Sequence, residues 1–155
     1  MIELTLNALS LNIESDRIIT FNSPNNLATG VEYTIVGTPS VRGVQHETKF
    51  LWSGVNALLT QDQLNVLNLL RSRADELRRN QSDFAITFTN TIFPLTEDPP
   101  RIRAIASGTN ETNNGNGSIT YFPEYYVWIE NIASNILGDY RNTTFDLLEL
   151  HKTTP

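Results

Sequence analysis

The amino-acid sequence predicts a mainly β protein with one helix: an antiparallel β-sandwich or split barrel flanked by a single amphipathic α-helix. Three observations carry that expectation. Short alternating apolar runs recur at regular spacing, Asn/Thr-rich loops separate them, and one segment alone repeats with a helical period. The strands do not alternate with helices, so a doubly wound parallel sheet is not expected. At 155 residues the chain suits one domain, 1–155, with a real core.

The first run, Ile2 to Ile13, alternates but slips in phase. Ile2, Leu4, Leu6 and Ala8 share one parity, and Leu9, Leu11 and Ile13 the other. A one-residue shift turns every side chain to the opposite face, so a bulge or tight turn is expected at Asn7-Ala8. Arg17 to Phe21 reads as a second strand, closed by the turn-rich Asn22-Ser23-Pro24-Asn25-Asn26. Val31, Tyr33 and Ile35 alternate up to Gly37-Thr38-Pro39. A further strand starts at Val41 or Val44 and reaches Trp52, where Ser53-Gly54 is expected to end it.

The helix spans Gln61 to Arg79. Thr60 occupies the N-cap position, and Gln63 completes a capping box. Asp62 lies in the first turn while Arg71, Arg73, Arg78 and Arg79 crowd the second half, the polarity a helix dipole favours. Val66, Leu67, Leu70, Ala74 and Leu77 form one face, which must cover a sheet because no comparable second helix exists. Asn80 is the expected left-handed cap.

After it, Phe84, Ile86 and Phe88 define a strand that extends toward Phe93, and Pro94 and Pro99-Pro100 mark an irregular connection. Arg101 to Ala106 reads as strand, with Ile102, Ala104 and Ala106 on one side and Arg101 and Arg103 on the other. The segment 107–118 holds little that can be buried and is expected to be a mobile hairpin loop. Ile119 to Phe122, Tyr125 to Ile129 and Thr143 to Leu150 supply the last strands, with Pro123 favouring an edge or bulge.

Composition excludes several chemistries. The absence of cysteine removes disulfides, thiolate metal sites and a cysteine nucleophile. The net charge of −6 and pI of about 4.8 argue against specific nucleic-acid binding. No apolar run reaches membrane-spanning length, so membrane insertion is not expected. Met1-Ile2-Glu3-Leu4-Thr5 has no signal-peptide pattern, which reads as a soluble protein made in a cytoplasm.

A search for catalytic or metal-binding sets comes out empty. His46 and His151 are the only histidines, one in a strand beside Glu47 and one near the terminus, and neither builds a triad or a zinc set. Glu97-Asp98, Glu124 and Glu130 read as solvated carboxylates rather than a glycosidase pair. Gly115-Asn116-Gly117 has neither the lysine nor the helix of a phosphate loop. The sequons at Asn80, Asn110, Asn116 and Asn142 are expected from composition alone. No cofactor, metal or catalytic residue is assigned, and the chain is read as non-enzymatic.

Two groups of residues remain. Tyr121, Phe122, Tyr125, Tyr126 and Trp128 form the densest aromatic cluster, suited to core packing or to a protein contact. The helix arginines, with Arg101 and Arg103, form a basic group; against the acidic total, salt bridges to a neighbouring chain suit them better than nucleic acid.

The order of strands, Phe50-x-Trp52, short connector, capped helix and further strands resembles the tail-tube and distal-tail superfamily of bacteriophage tail and baseplate proteins. The resemblance implies a β-sandwich or split barrel flanked by one helix, assembling as a homo-oligomeric ring around the DNA channel and joining other tail proteins in the virion. It implies an acidic channel along which DNA slides, and loops that order on assembly. The candidate subunit interface is then Arg71, Arg78, Arg101, Arg103, Tyr126 and Trp128. The alternative is a carbohydrate- or receptor-binding β-module that uses the Tyr121–Trp128 aromatics and the Asn-rich loop.

Overall fold

The computed structural model describes residues 1–26, 30–33, 39–42 and 49–153. It is mainly β with one helix, and every strand pairing in it is antiparallel. The first four strands are β1 (Ile2–Leu6), β2 (Leu9–Ile13), β3 (Ile18–Thr20) and β4 (Asn25–Asn26). β5 (Gly30–Tyr33), β6 (Pro39–Arg42) and β7 (Phe50–Leu59) precede the helix α1 (Gln61–Arg79). β8 (Ile86–Asn90), β9 (Leu95–Glu97), β10 (Thr112–Asn113), β11 (Ile119–Tyr121), β12 (Tyr125–Leu137) and β13 (Tyr140–Lys152) follow.

The main sheet runs β2-β1-β8-β12-β13-β7-β3, with β4 also on β7; β10-β11-β9 form a second sheet and β5-β6 a separate pair. Its outer strands are consecutive in sequence: β2 ends at Ile13 and β3 begins at Ile18. In a flat sheet six spacings of about 4.8 Å would set them about 29 Å apart. Five residues reach about 18 Å at most, so the sheet must curl. No pairing joins β2 to β3 among the described residues, and the barrel stays open.

The concave side is the core. Trp52 on β7, Phe88 on β8 and Tyr125 on β12 meet there, with ring centroids 5.0 Å (Trp52–Phe88) and 4.6 Å (Trp52–Tyr125) apart. β7 and β8 are separated by two intervening strands. Only a strongly curved sheet brings those rings together. Ile2, Leu4, Ile13, Leu59, Ile86, Val127, Ile129 and Leu147 fill the rest.

The helix closes this core as its sequence requires. Leu64, Leu67, Leu70 and Ala74 are buried, while Val66 and Leu77 pack at the flanks. Both arms of the capping box are present: the Gln63 N–H donates to Thr60 Oγ1 at 3.2 Å, and the Thr60 N–H donates to Gln63 Oε1 at 3.0 Å. Gln63 Nε2 also donates to the Asn12 carbonyl, pinning the helix start to β2. Thr60→Ala is expected to lower stability by about 1 kcal/mol, read as a shift in urea midpoint at unchanged slope. The C-terminal cap lies one residue beyond expectation: Asn80 has φ −88° and Gln81 takes the left-handed position at φ 57°. Ser82 N–H to Leu77 O and Gln81 N–H to Arg78 O complete a Schellman pattern.

Other boundaries differ for readable reasons. The phase slip at Asn7-Ala8 is a tight turn, with Leu6 opposite Leu9 and Asn7 at φ 53°. Ser53-Gly54 does not end β7. It forms a bulge opposite Asp146, with Gly54 at φ 67° and its N–H donating to Asp146 Oδ1 at 2.8 Å. The extra residue resets the phase, so Trp52, Val55, Ala57 and Leu59 all face inward. β8 stops at Asn90 rather than Phe93 because the Asn90 side chain accepts from the Ile92 and Phe93 N–H groups. Arg101 to Ala106 is not a strand: Ile102 and Ala104 donate to the Glu97 and Thr153 side chains, and among the described residues one bridge, Ile105 to Pro123, is its only ladder contact. Within 107–118, β10 pairs with β11 and the Asn-rich turn bonds to itself, Asn114 Nδ2 donating to Ser118 Oγ and Thr120 Oγ1. Ile35 and the strand start at Val44 fall outside the described residues.

Candidate assembly surface

The largest departure from the sequence expectation is the hairpin β12–β13. β12 runs eight residues past Ile129, and β13 begins three residues before Thr143. Gly138 and Asp139 make the two-residue turn between Leu137 and Tyr140, with Gly138 at φ 59°. β12 pairs with β8 only from Tyr125 to Val127, so beyond that its second edge has no strand partner among the described residues. Ile136 is 78% exposed and Leu137 55%. These are the most exposed large apolar side chains among the described residues.

The hairpin is held, not dangling. Arg141 on β13 pairs with Leu59, and its Nε donates to Gln61 Oε1 at 3.0 Å. The Arg17 guanidinium stacks 4.2 Å over the Tyr140 ring. At its base, a bulge at Asn131 (φ 55°) is fixed by Asn131 Nδ2 donating to Asp146 Oδ2. The tip therefore stands at the N-terminal end of α1. The dipeptide Gly138-Asp139 after Ile136-Leu137 is the one local signal that could have announced it.

The six candidate interface residues are not brought together. Arg71 stacks 3.9 Å over the Trp128 ring, which also meets Phe84 edge-to-face at 5.7 Å and packs against the margin of the core. Trp128 is thus partly covered by its own chain. Arg78 is exposed and donates from Nε and Nη2 to Asp75 Oδ1 at 3.2 and 2.8 Å. That hydrogen bond, with the positive field of Arg78, Arg79 and Arg71, holds the Asp75 carboxyl below its usual range. Tyr126 is half-buried against His151, with ring centroids 4.9 Å apart. Arg101 pairs with Glu111 near the Tyr121 ring.

Arg103 overturns its assignment: it is 3% exposed and faces inward, so it offers nothing to a neighbouring subunit. Its Nε and Nη2 donate to Glu149 Oε2 and Oε1, both at 2.7 Å, under the faces of Phe50 and Tyr125. Burial works against its charge, yet the fork of hydrogen bonds to Glu149 holds the guanidinium above its usual pKa. The pair fastens the excursion 91–124 to β13. Thr153 adds a second tie, accepting from the Ala104 N–H at 2.9 Å and donating to the Glu124 carbonyl at 2.7 Å.

The aromatic cluster is largely interior. Tyr121 and Tyr125 are 1% and 2% exposed, and burial raises both phenol pKa values. Tyr121 donates its hydroxyl to Glu97 Oε1 at 2.7 Å, and the Ile102 N–H donates to the same oxygen. Glu97 is therefore a structural acceptor. His46 lies outside the described residues. Among the described residues, no group of three metal-ligating side chains is found and no helix is long and apolar enough to cross a membrane. No family model, curated protein or solved structure matches the chain.

Proposed function

We propose that this chain is a structural subunit of a bacteriophage tail or baseplate. It assembles with copies of itself into a ring around the DNA channel, joins neighbouring tail proteins, and works in the virion without catalysis. The observation that carries the reading is the far half of the β12–β13 hairpin, whose unpaired β12 edge and exposed Ile136 and Leu137 suit burial in an assembly. An edge of this kind invites pairing unless another chain covers it. The acidic total fits a channel that DNA traverses without sticking.

The test is the assembly state of the purified protein. Light scattering and negative-stain microscopy are expected to find closed rings, alone or on a tail partner. A monomer that stays monomeric at high concentration and on every tail partner supplied overturns the reading. A carbohydrate- or receptor-binding role has less support, because Tyr121 and Tyr125 are buried and Trp128 lies between Arg71 and Phe84.

A further inference from the structure

A second surface offers an apolar groove with an exposed cation at its wall. Between the β1–β2 turn and the C-terminal half of α1 lies a groove of about 380 Å³. Leu6, Ala8, Leu9 and Leu77 supply its apolar lining, and Arg73 and Glu76 stand among its polar walls. Ala8 and Arg73 are exposed. Asp75 gathers Arg71, Arg78 and Arg79 around itself, and Arg73 stands apart from that cluster.

The tip presents the complement: two exposed apolar side chains, Ile136 and Leu137, followed after Gly138 by the carboxylate of Asp139. It cannot serve its own groove. The tip is tied to the start of α1 through Arg141 and Gln61, whereas the groove lies beside Arg73 to Asn80. Those two ends of the helix are about 20 Å apart.

We infer that the hairpin tip of one copy seats in the groove of the next. Ile136 and Leu137 enter the apolar floor, and Asp139 approaches Arg73. The inference rests on the ring reading for its partner, a second copy of this chain, and it specifies the contact. Knob and groove are different patches on one molecule, so the contact is heterologous: each copy gives a tip and receives one. Such a contact closes into a ring when the rotation per copy divides a full turn, and otherwise grows as a filament. The tip's anchors at Arg17 and Gln61 leave little ordering to be done on binding.

The experiment uses two variants of the full chain. In the first, Ile136→Asp and Leu137→Asp together remove the knob; both positions are exposed, so the fold is kept, as circular dichroism and melting will check. In the second, Ala8→Trp fills the groove from the turn. By analytical ultracentrifugation each variant alone is expected to associate at least about a hundredfold more weakly than the parent. Mixed, they are expected to form a one-to-one heterodimer and nothing larger, because one intact tip and one intact groove remain. Arg73→Asp is expected to weaken assembly and Asp139→Arg to restore it.

Parent-like rings from either variant, or a mixture that gives no heterodimer, overturn this contact, and rings in that case leave the ring reading standing. A groove that binds some other ligand belongs to the same outcome, since Ala8→Trp would then leave assembly unchanged. A heterodimer from the mixture, with the parent growing only as open filaments, upholds the contact and sinks the ring.

Discussion

Arg103→Ala is expected to destabilise the protein by about 3–5 kcal/mol, the cost of leaving one partner of a buried pair uncompensated. The Glu149 side chain is fully buried, and without the guanidinium its closest remaining donor is the Phe50 N–H at 3.3 Å. Removal of Arg103 also opens the space over Phe50 and Tyr125 that its guanidinium occupies. Urea unfolding should show the loss in the midpoint. Hydrogen exchange should show it first in the 91–124 excursion, which the pair holds to β13. The double variant Arg103→Met with Glu149→Leu is expected to recover most of the loss, because two apolar side chains of similar volume leave no charge stranded. If Arg103→Ala costs under about 1 kcal/mol, the excursion is held by Thr153 and the ion pair is incidental.

That ion pair marks a limit on what sequence can convey. Glu149 occupies a core-facing position opposite Val127, where alternation alone calls for an apolar residue. Its partner lies 46 residues away on a segment with no ladder of its own, so no local pattern connects the two. By sequence alone Arg103 therefore reads as one more surface arginine. The span and start of the helix are legible because their evidence is local: a cap, a box, a charge gradient and an apolar face, whereas its left-handed cap falls at Gln81 rather than Asn80. The turn at Asn7-Ala8 was legible for the same reason, since a phase slip is a statement about neighbours.

Strands β7 and β12 hide their full length in a related way. Ser53-Gly54 is the composition of a stop, yet opposite Asp146 it forms a bulge that preserves the inward phase. Only the partner strand distinguishes the two. Past Ile132, the last residue of β12 that packs against the core, Ala133 to Asn135 are small and exposed; alternation vanishes where there is no inside to face. The proposed assembly contact therefore sits in the stretch where the hydrophobic pattern is silent. Of the six residues the sequence offers as an interface, Arg71 and Trp128 meet each other within one chain.

Trp52→Ala is expected to cost about 3–5 kcal/mol, a fall in melting temperature of about 6–20 °C for a chain of this size. Trp52 is 2% exposed and touches rings from three directions: Phe50 at 5.8 Å, Phe88 at 5.0 Å and Tyr125 at 4.6 Å, all edge-on. Each such pair adds about 0.5–1.5 kcal/mol beyond burial. These contacts also bridge β7 to β8 across the concave face, which no ladder hydrogen bond does. Loss of the indole leaves a cavity between strands that only side chains hold at that distance, so near-UV dichroism should fall before far-UV. Trp128→Ala is the informative contrast. Its ring is half-buried between Arg71 and Phe84 at the margin of the core, and about 1–2 kcal/mol is expected. The tip and the groove lie at opposite ends of α1, on strands whose relative placement follows the sheet's curvature. Trp52→Phe, which keeps a ring in place, should therefore retain assembly, and Trp52→Ala should weaken it even where the protein remains folded. Equal costs for the two alanine variants would mean that the rings do not set the curvature, leaving that task to the short link between β2 and β3.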